Sequence, residues 1–136
     1  MNKQSVPFGS AMGIEVAFSK VVSVDMTDTK RMVWVAGTVA HDENGKVVGK
    51  GDMAAQTEQI IKNIKEALED VGGTLDDIVT VTCYVKSMEG LEEHHKVRLR
   101  YFNEPYPVST LIQITEFATP DLLLEISATA VVDLNK

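Results

Sequence analysis

Cysteine is almost absent from this sequence. Cys83 stands alone, which excludes an internal disulfide, and no Cys/His cluster suggests a structural metal site. This usage fits a reducing, cytoplasmic setting. Long apolar runs are missing too, all falling short of the ~20 residues a membrane helix needs. The opening stretch MNKQSVPFGS lacks the apolar core of a signal peptide. Positive charge is in deficit: 13 Lys and Arg stand against 20 Asp and Glu, a net charge of −7. Proteins that grip phosphate backbones carry a basic patch. Here the densest positive group, Lys96, Arg98 and Arg100, shares a predicted helix with Glu92 and Glu93, so nucleic-acid binding is disfavoured.

What is present is an ordinary globular composition, 44% hydrophobic and 24% charged. Residues 1–136 read as one domain, with the polar, Gly-containing stretch 1–13 as a flexible arm. Val16–Val24 is β-branched and roughly alternating, a strand. Met32–Ala36 is a short apolar strand in which Trp34 reads as core. It ends at Gly37, a residue that admits close approach to the backbone. Asp42-Glu43-Asn44-Gly45 is a turn signal. Asp52 is placed to cap a helix over Met53–Val71, whose Ile60, Ile61, Ile64, Ala67, Leu68 and Val71 form one apolar stripe at helical period. Gly72-Gly73 ends it. Ile78–Val85 is the next strand. Ser87 is placed to cap a second helix over Met88–Asn103, and Glu104-Pro105 stops it.

Two apolar strands follow, Ser109–Thr115 and Leu122–Val132, read as a closing hairpin. The expected architecture is α+β, a single sheet with both helices packed on one face. Alternation sends Ile112, Ile114, Leu124 and Ile126 toward the helices, leaving Ser109, Leu111, Gln113, Leu123, Glu125 and Ser127 on the bare face. That face is too apolar for solvent alone, so self-association into a closed oligomer is expected. Glu125, in the middle of LLLEIS, is the conspicuous residue. A buried carboxylate without partners is costly, so Glu125 sits either on a solvated face or in a site.

The runs VWVAGTVAHDENGKVVG, DMAAQTEQIIKNIKEALEDVGGTLDDIVTVTCYVKSMEGLEEHHKVRLRYF, PYPVSTLIQI and LLLEISATAV together resemble the RidA/YjgF family of enamine/imine deaminases, also called endoribonuclease L-PSP. The resemblance covers nearly the whole chain. It implies a chorismate-mutase-like fold and a homotrimer around a central barrel, with small-molecule clefts between subunits and no cofactor. In deaminating members an arginine grips the substrate carboxylate, a glutamate positions the hydrolytic water, and a tyrosine and a glycine complete the site. The glutamate matches Glu125 and the glycine Gly37, followed by Thr38. The tyrosine position holds Phe18, beside Ser19, and the arginine position holds Ser109. Leu91 is grouped with these as ligand-binding. The expectation is therefore an arginine-lacking member that binds a small metabolite, with Glu125 as its catalytic group and Lys20 as a candidate replacement cation. Full deaminase activity and ribonuclease activity are the alternatives, the second disfavoured by the acidic balance.

Other candidates have plainer readings. Cys83 in TVTCYV reads as a buried structural thiol. His94 and His95 point about 100° apart on a helix, cannot chelate one ion together, and read as exposed. His41 reads as a surface histidine at the cleft's edge. Gly49-Lys50-Gly51 is too short for a phosphate loop.

Overall fold

The computed structural model describes residues 2–11 and 13–135. Strands β1 (Asn2–Pro7), β2 (Ser10–Ala11), β3 (Ile14–Glu15), β4 (Ser19–Asp25) and β5 (Lys30–Thr38) precede helix α1 (Met53–Glu69). After it come β6 (Ile78–Val85), helix α2 (Leu91–Tyr101), β7 (Val108–Gln113) and β8 (Leu124–Asp133). β2 and β3 pair with each other, and the other six strands form one sheet in the order β1-β4-β5-β8-β6-β7. The fold is the expected α+β sheet with two helices.

The apolar stripe of α1 does what its spacing implies. Ile60, Ile61, Ile64 and Leu68 are fully buried against Val21, Val33, Val35, Val81, Val85, Leu124 and Ile126 of the sheet. Each such side chain contributes roughly 1.5–3 kcal/mol when taken from water. Asp52 caps α1 by accepting from the Ala55 backbone N–H at 3.0 Å. α2 is shorter than its sequence suggests. Its N-cap is Gly90 at φ 82°, a left-handed conformation that interrupts the helix upstream. Ser87 instead accepts from the Glu89 N–H at 3.1 Å, in the turn before the helix.

Further expectations are revised. The segment 1–13, read as an arm, contributes β1, which pairs antiparallel with β4 from Asn2↔Asp25 to Val6↔Val21. Met1 and Met12 lie outside the described residues. Trp34 is 41% exposed, because Val33 and Val35 take the helix side of β5. His94 is buried, 1% exposed, on the side of α2 that faces α1, whereas His95 is exposed. Thr57 donates its hydroxyl proton to Met53 O at 2.8 Å, so the 3.0 Å contact to His94 Nδ1 has the imidazole as donor. Burial pushes the His94 pKa down to about 4, so the ring is neutral at pH 7.

The closing hairpin does not form. β7 runs parallel to β6, reached through α2, and occupies the sheet edge. β8 runs antiparallel to both β5 and β6 and lies between them. A helix crossover naturally delivers a parallel neighbour, and residues 114–123 then carry the chain to the other side of β6. This register also moves Ser109. It pairs with Val81, a residue of the buried helix side, while Glu125 pairs with Tyr84, which pairs with Ile112. Ser109 and Glu125 thus lie on opposite faces of the sheet, and Ile112 occupies the row of Glu125.

Candidate active site

Glu125 is placed by its neighbours. Leu124 and Ile126 are buried on the helix side of β8, at 0% and 3% exposure, so strand alternation turns Glu125 the other way. There it meets β5 where the β5–β8 register shifts between Val35 and Thr38. Gly37 lies in this irregularity. A Cβ added at Gly37 would overlap the Glu125 carboxylate, coming within 2.7 Å of Cδ. The glycine is required by close approach, and the carboxylate is what approaches.

The Glu125 carboxylate borders a cavity of about 920 Å³ that is also lined by Phe8, Phe18, Lys20, Gly37 and Thr38. Among the described residues it has neither a hydrogen-bond donor nor a cation as partner. Burial raises its pKa above the ordinary glutamate value. Such a carboxylate holds a proton more readily than a solvated one, which suits it to proton transfer.

Three hydrogen-bonded anchors fix the walls. Asn63, on α1, donates to Val39 O at 3.2 Å and His41 O at 2.9 Å, tying the turn after β5 to the helix. The Asp42 carboxylate accepts from the Asn44 and Lys46 backbone N–H groups at 2.8 and 3.0 Å. Those bonds, the Lys46 one foremost, hold its pKa below the usual carboxylate range. On the far side, Gln56 is fully buried. It donates to Gly49 O at 3.2 Å and Asp121 O at 2.9 Å, and accepts from the Leu123 N–H at 2.9 Å. It thereby sets the entry of the chain into β8, two residues before Glu125.

Of the residues singled out from the sequence, Phe18, Gly37, Thr38 and Glu125 come together around this cavity, and His41 borders it. Ser19 is in β4, paired with Pro7, and is not in the lining. Leu91 begins α2, and Ser109 accepts a 3.1 Å hydrogen bond from Arg98 of that helix; within one chain neither reaches the cavity. Lys20 does line it, but its ammonium is 3.2 Å from the Asp70 carboxylate. Sequence reasoning missed Phe8, Asn63, Glu66 and Phe117, all in the lining. Phe8 lay in the presumed arm. Its ring meets that of Phe18 with centroids 4.9 Å apart, across a backbone bond from Phe8 N–H to Phe18 O.

Comparison with known proteins decides the kinship. The sequence pattern of the family Endoribonuclease L-PSP matches residues 9–132. The chain belongs to this family, RidA/YjgF. A RutC family protein of Pyrococcus abyssi is 36% identical over 99 residues, spanning 72% of this chain and 76% of that protein. The 3-aminoacrylate deaminase RutC of Acinetobacter baylyi is 33% identical over 107 residues, spanning 79% of this chain and 84% of that protein. Among solved structures, a YjgF/YER057c/UK114 family member from Mycobacterium tuberculosis superposes with a TM-score of 0.76 at 30% identity, covering 96% of this chain and all of that one. Yeast Mmf1 superposes with a TM-score of 0.81 at 21% identity over 97% of this chain and 100% of its own, a likeness of fold alone. No helix among the described residues is long and apolar enough to cross a membrane.

Proposed function

We propose that this RidA/YjgF family member binds a small metabolite in the Glu125 cavity and hydrolyses the C=N bond of an imine, or of an enamine after tautomerisation, to a carbonyl compound and ammonia. The single observation that carries this reading is the Glu125 carboxylate, desolvated, unpartnered among the described residues and set against Gly37 at a cavity wall. Phe18 and Thr38 border the same space.

In the proposed step, ionised Glu125 takes a proton from water as the oxygen attacks the imine carbon. The imine nitrogen gains that proton, giving a carbinolamine. Glu125 then takes the hydroxyl proton and passes it to the nitrogen, which leaves as ammonia as the carbon–oxygen double bond forms. A carboxylate of raised pKa suits both the taking and the giving. The similarity to a 3-aminoacrylate deaminase supports the reaction class.

The working form is proposed to be a homotrimer. Trp34, Ile112 and Val131 are 41%, 41% and 40% exposed, and every residue of edge strand β7 is exposed, an apolar surface suited to a second copy. In such an assembly Ser109 and Leu91 reach a cleft from a neighbouring subunit, with Ser19 at its margin. A cytoplasmic location is proposed with the same activity.

The test generates imines in situ with amino-acid and amine oxidases and follows ammonia and carbonyl release. Acceleration over buffer that is lost in Glu125→Gln is expected. No acceleration with any imine, or a Glu125→Gln rate equal to that of the parent, overturns the reading. Sedimentation at micromolar concentration tests the trimer, which a monomer would exclude.

A further inference from the structure

We propose that the Glu125 cavity selects organic cations, a protonated amine or iminium carrying an apolar group and no carboxylate. This rests on the cavity being the ligand site, not on its hydrolytic chemistry.

The charges around the space are lopsided. Glu125, Glu66, Glu43 and Asp42 all line it. The Lys20 ammonium that also lines it is already neutralised by Asp70 at 3.2 Å. Asp42 is engaged by two backbone N–H groups, but Glu125 and Glu66 have no side-chain partner among the described residues. Within one chain neither Ser109 nor the Arg98 guanidinium that donates to it is in the lining. A ligand carboxylate brought beside half-buried Glu125 would meet a like charge in a poorly solvated place, which is unfavourable. A cationic nitrogen there restores the counter-charge that burial withholds.

The remaining wall has the character that an organic cation needs. Phe8 and Phe18 line the cavity with their rings 4.9 Å apart and tilted by 37°, yet they are 40% and 49% exposed. Two apolar rings left open to water beside unpaired carboxylates form a surface for an alkyl or aryl group whose charged end carries N–H donors. Aromatic faces also attract cations directly. Thr119, in the same lining, has its Oγ1 buried without a hydrogen-bond partner among the described residues, a further acceptor for an N–H group.

The experiment titrates the full chain with two probes that share one apolar group and differ in charge, 3-phenylpropylammonium and 3-phenylpropionate, by calorimetry at pH 7. The ammonium is expected to bind at least tenfold more tightly. Glu125→Gln, Glu66→Gln and Phe18→Ala are each expected to weaken it severalfold, with the two carboxamide variants losing most of their effect in high salt. Equal affinities, tighter binding of the carboxylate, or binding of neither probe overturns the proposal. The turnover arm separates it from the hydrolase reading. Ammonium binding without turnover of any imine removes the hydrolase and leaves cation selection. Turnover of amino-acid imines together with preference for the carboxylate probe does the reverse.

Discussion

Arg98 Nη1 donates to Ser109 Oγ at 3.1 Å, joining the side of α2 to edge strand β7. The same nitrogen lies 3.5 Å from His94 Nε2 and 3.6 Å from Cys83 Sγ. A guanidinium therefore stands over a neutral imidazole and a thiol whose pKa burial raises. With His94 Nδ1 donating to Thr57, Nε2 is left as the lone-pair nitrogen on the Arg98 side. Arg98→Met is expected to move the His94 pKa up from about 4 toward 6.5, though not all the way, because burial is the larger cause. An NMR titration of the His94 ring checks this, and an unmoved pKa contradicts it.

His94 also makes stability depend on pH. Its folded pKa, about 4, lies below the ordinary 6.5, so between those values the unfolded chain binds a proton that the folded chain does not. Stability from this group is therefore lost as pH falls through that window. The loss between pH 7 and pH 5 is about 2 kcal/mol. Urea melts at the two pH values are expected to show a flatter dependence in His94→Gln than in the parent.

Glu125 behaves in the opposite sense. Burial raises its folded pKa above 4.5, so the folded state holds the proton more tightly than the unfolded chain. The stabilising effect of protonation is fully present below 4.5 and is lost as pH rises through the raised pKa. Glu125→Gln, which cannot ionise, is expected to melt at higher temperature than the parent at pH 7. The gap should close as pH is lowered below 4.5. A variant that melts lower at pH 7 would show that the carboxylate is stabilised by something outside a single chain.

Gly37→Ala is expected to reduce stability by about 1–3 kcal/mol, as overpacking does, and to lower any imine hydrolysis at least tenfold. The added Cβ overlaps the Glu125 carboxylate and must push it aside. The double variant Gly37→Ala with Glu125→Ala should recover most of the lost stability and none of the activity. Additive stability losses would mean that the two residues do not share the space.

Gln56→Glu keeps the shape and the acceptor for the Leu123 N–H, but it cannot donate to Gly49 O and Asp121 O. The part-buried Asp121 carbonyl then loses its side-chain donor, at about 1–3 kcal/mol, while Gly49 O keeps the Asp52 N–H. The expected drop in melting temperature, with a larger effect than at exposed Gln4, is read by calorimetry.

Much of the frame was legible because local periodicity is strong. Asp52 and the α1 stripe fix that helix, and the bounds Ile78–Val85 follow from the run IVTVTCYV, rich in β-branched residues. Pairing was not legible. Alternation orders residues within one strand but says nothing about the phase of one strand against another. The phases of β7 and β8 are both set by β6, where Cys83 pairs with Leu111 on one side and Ile126 on the other. Ser109 consequently lands beneath α2 and not beside Glu125. Trp34 and His94 mislead for a related reason. An apolar residue in a short strand and a polar one on a helix declare their faces only when the neighbouring layer is known. Glu125 stood out as a carboxylate in an apolar strand and Gly37 as a strand-end glycine open to close approach. Phe18 was found through the family resemblance, whereas Phe8 carried no signal of its own in a polar segment.

β8 sits at the centre of the sheet, yet its residues are the latest of the domain's strands in the chain. Until Leu124–Asp133 emerges from the ribosome, β1, β4 and β5 have no hydrogen-bonded link to β6 and β7. The two halves must wait, each with an unzipped inner edge, for the closing piece between them. Synthesis therefore leaves the β5 and β6 edges bare at the same moment, and the residues that join them bring Glu125 to Gly37 in the same event.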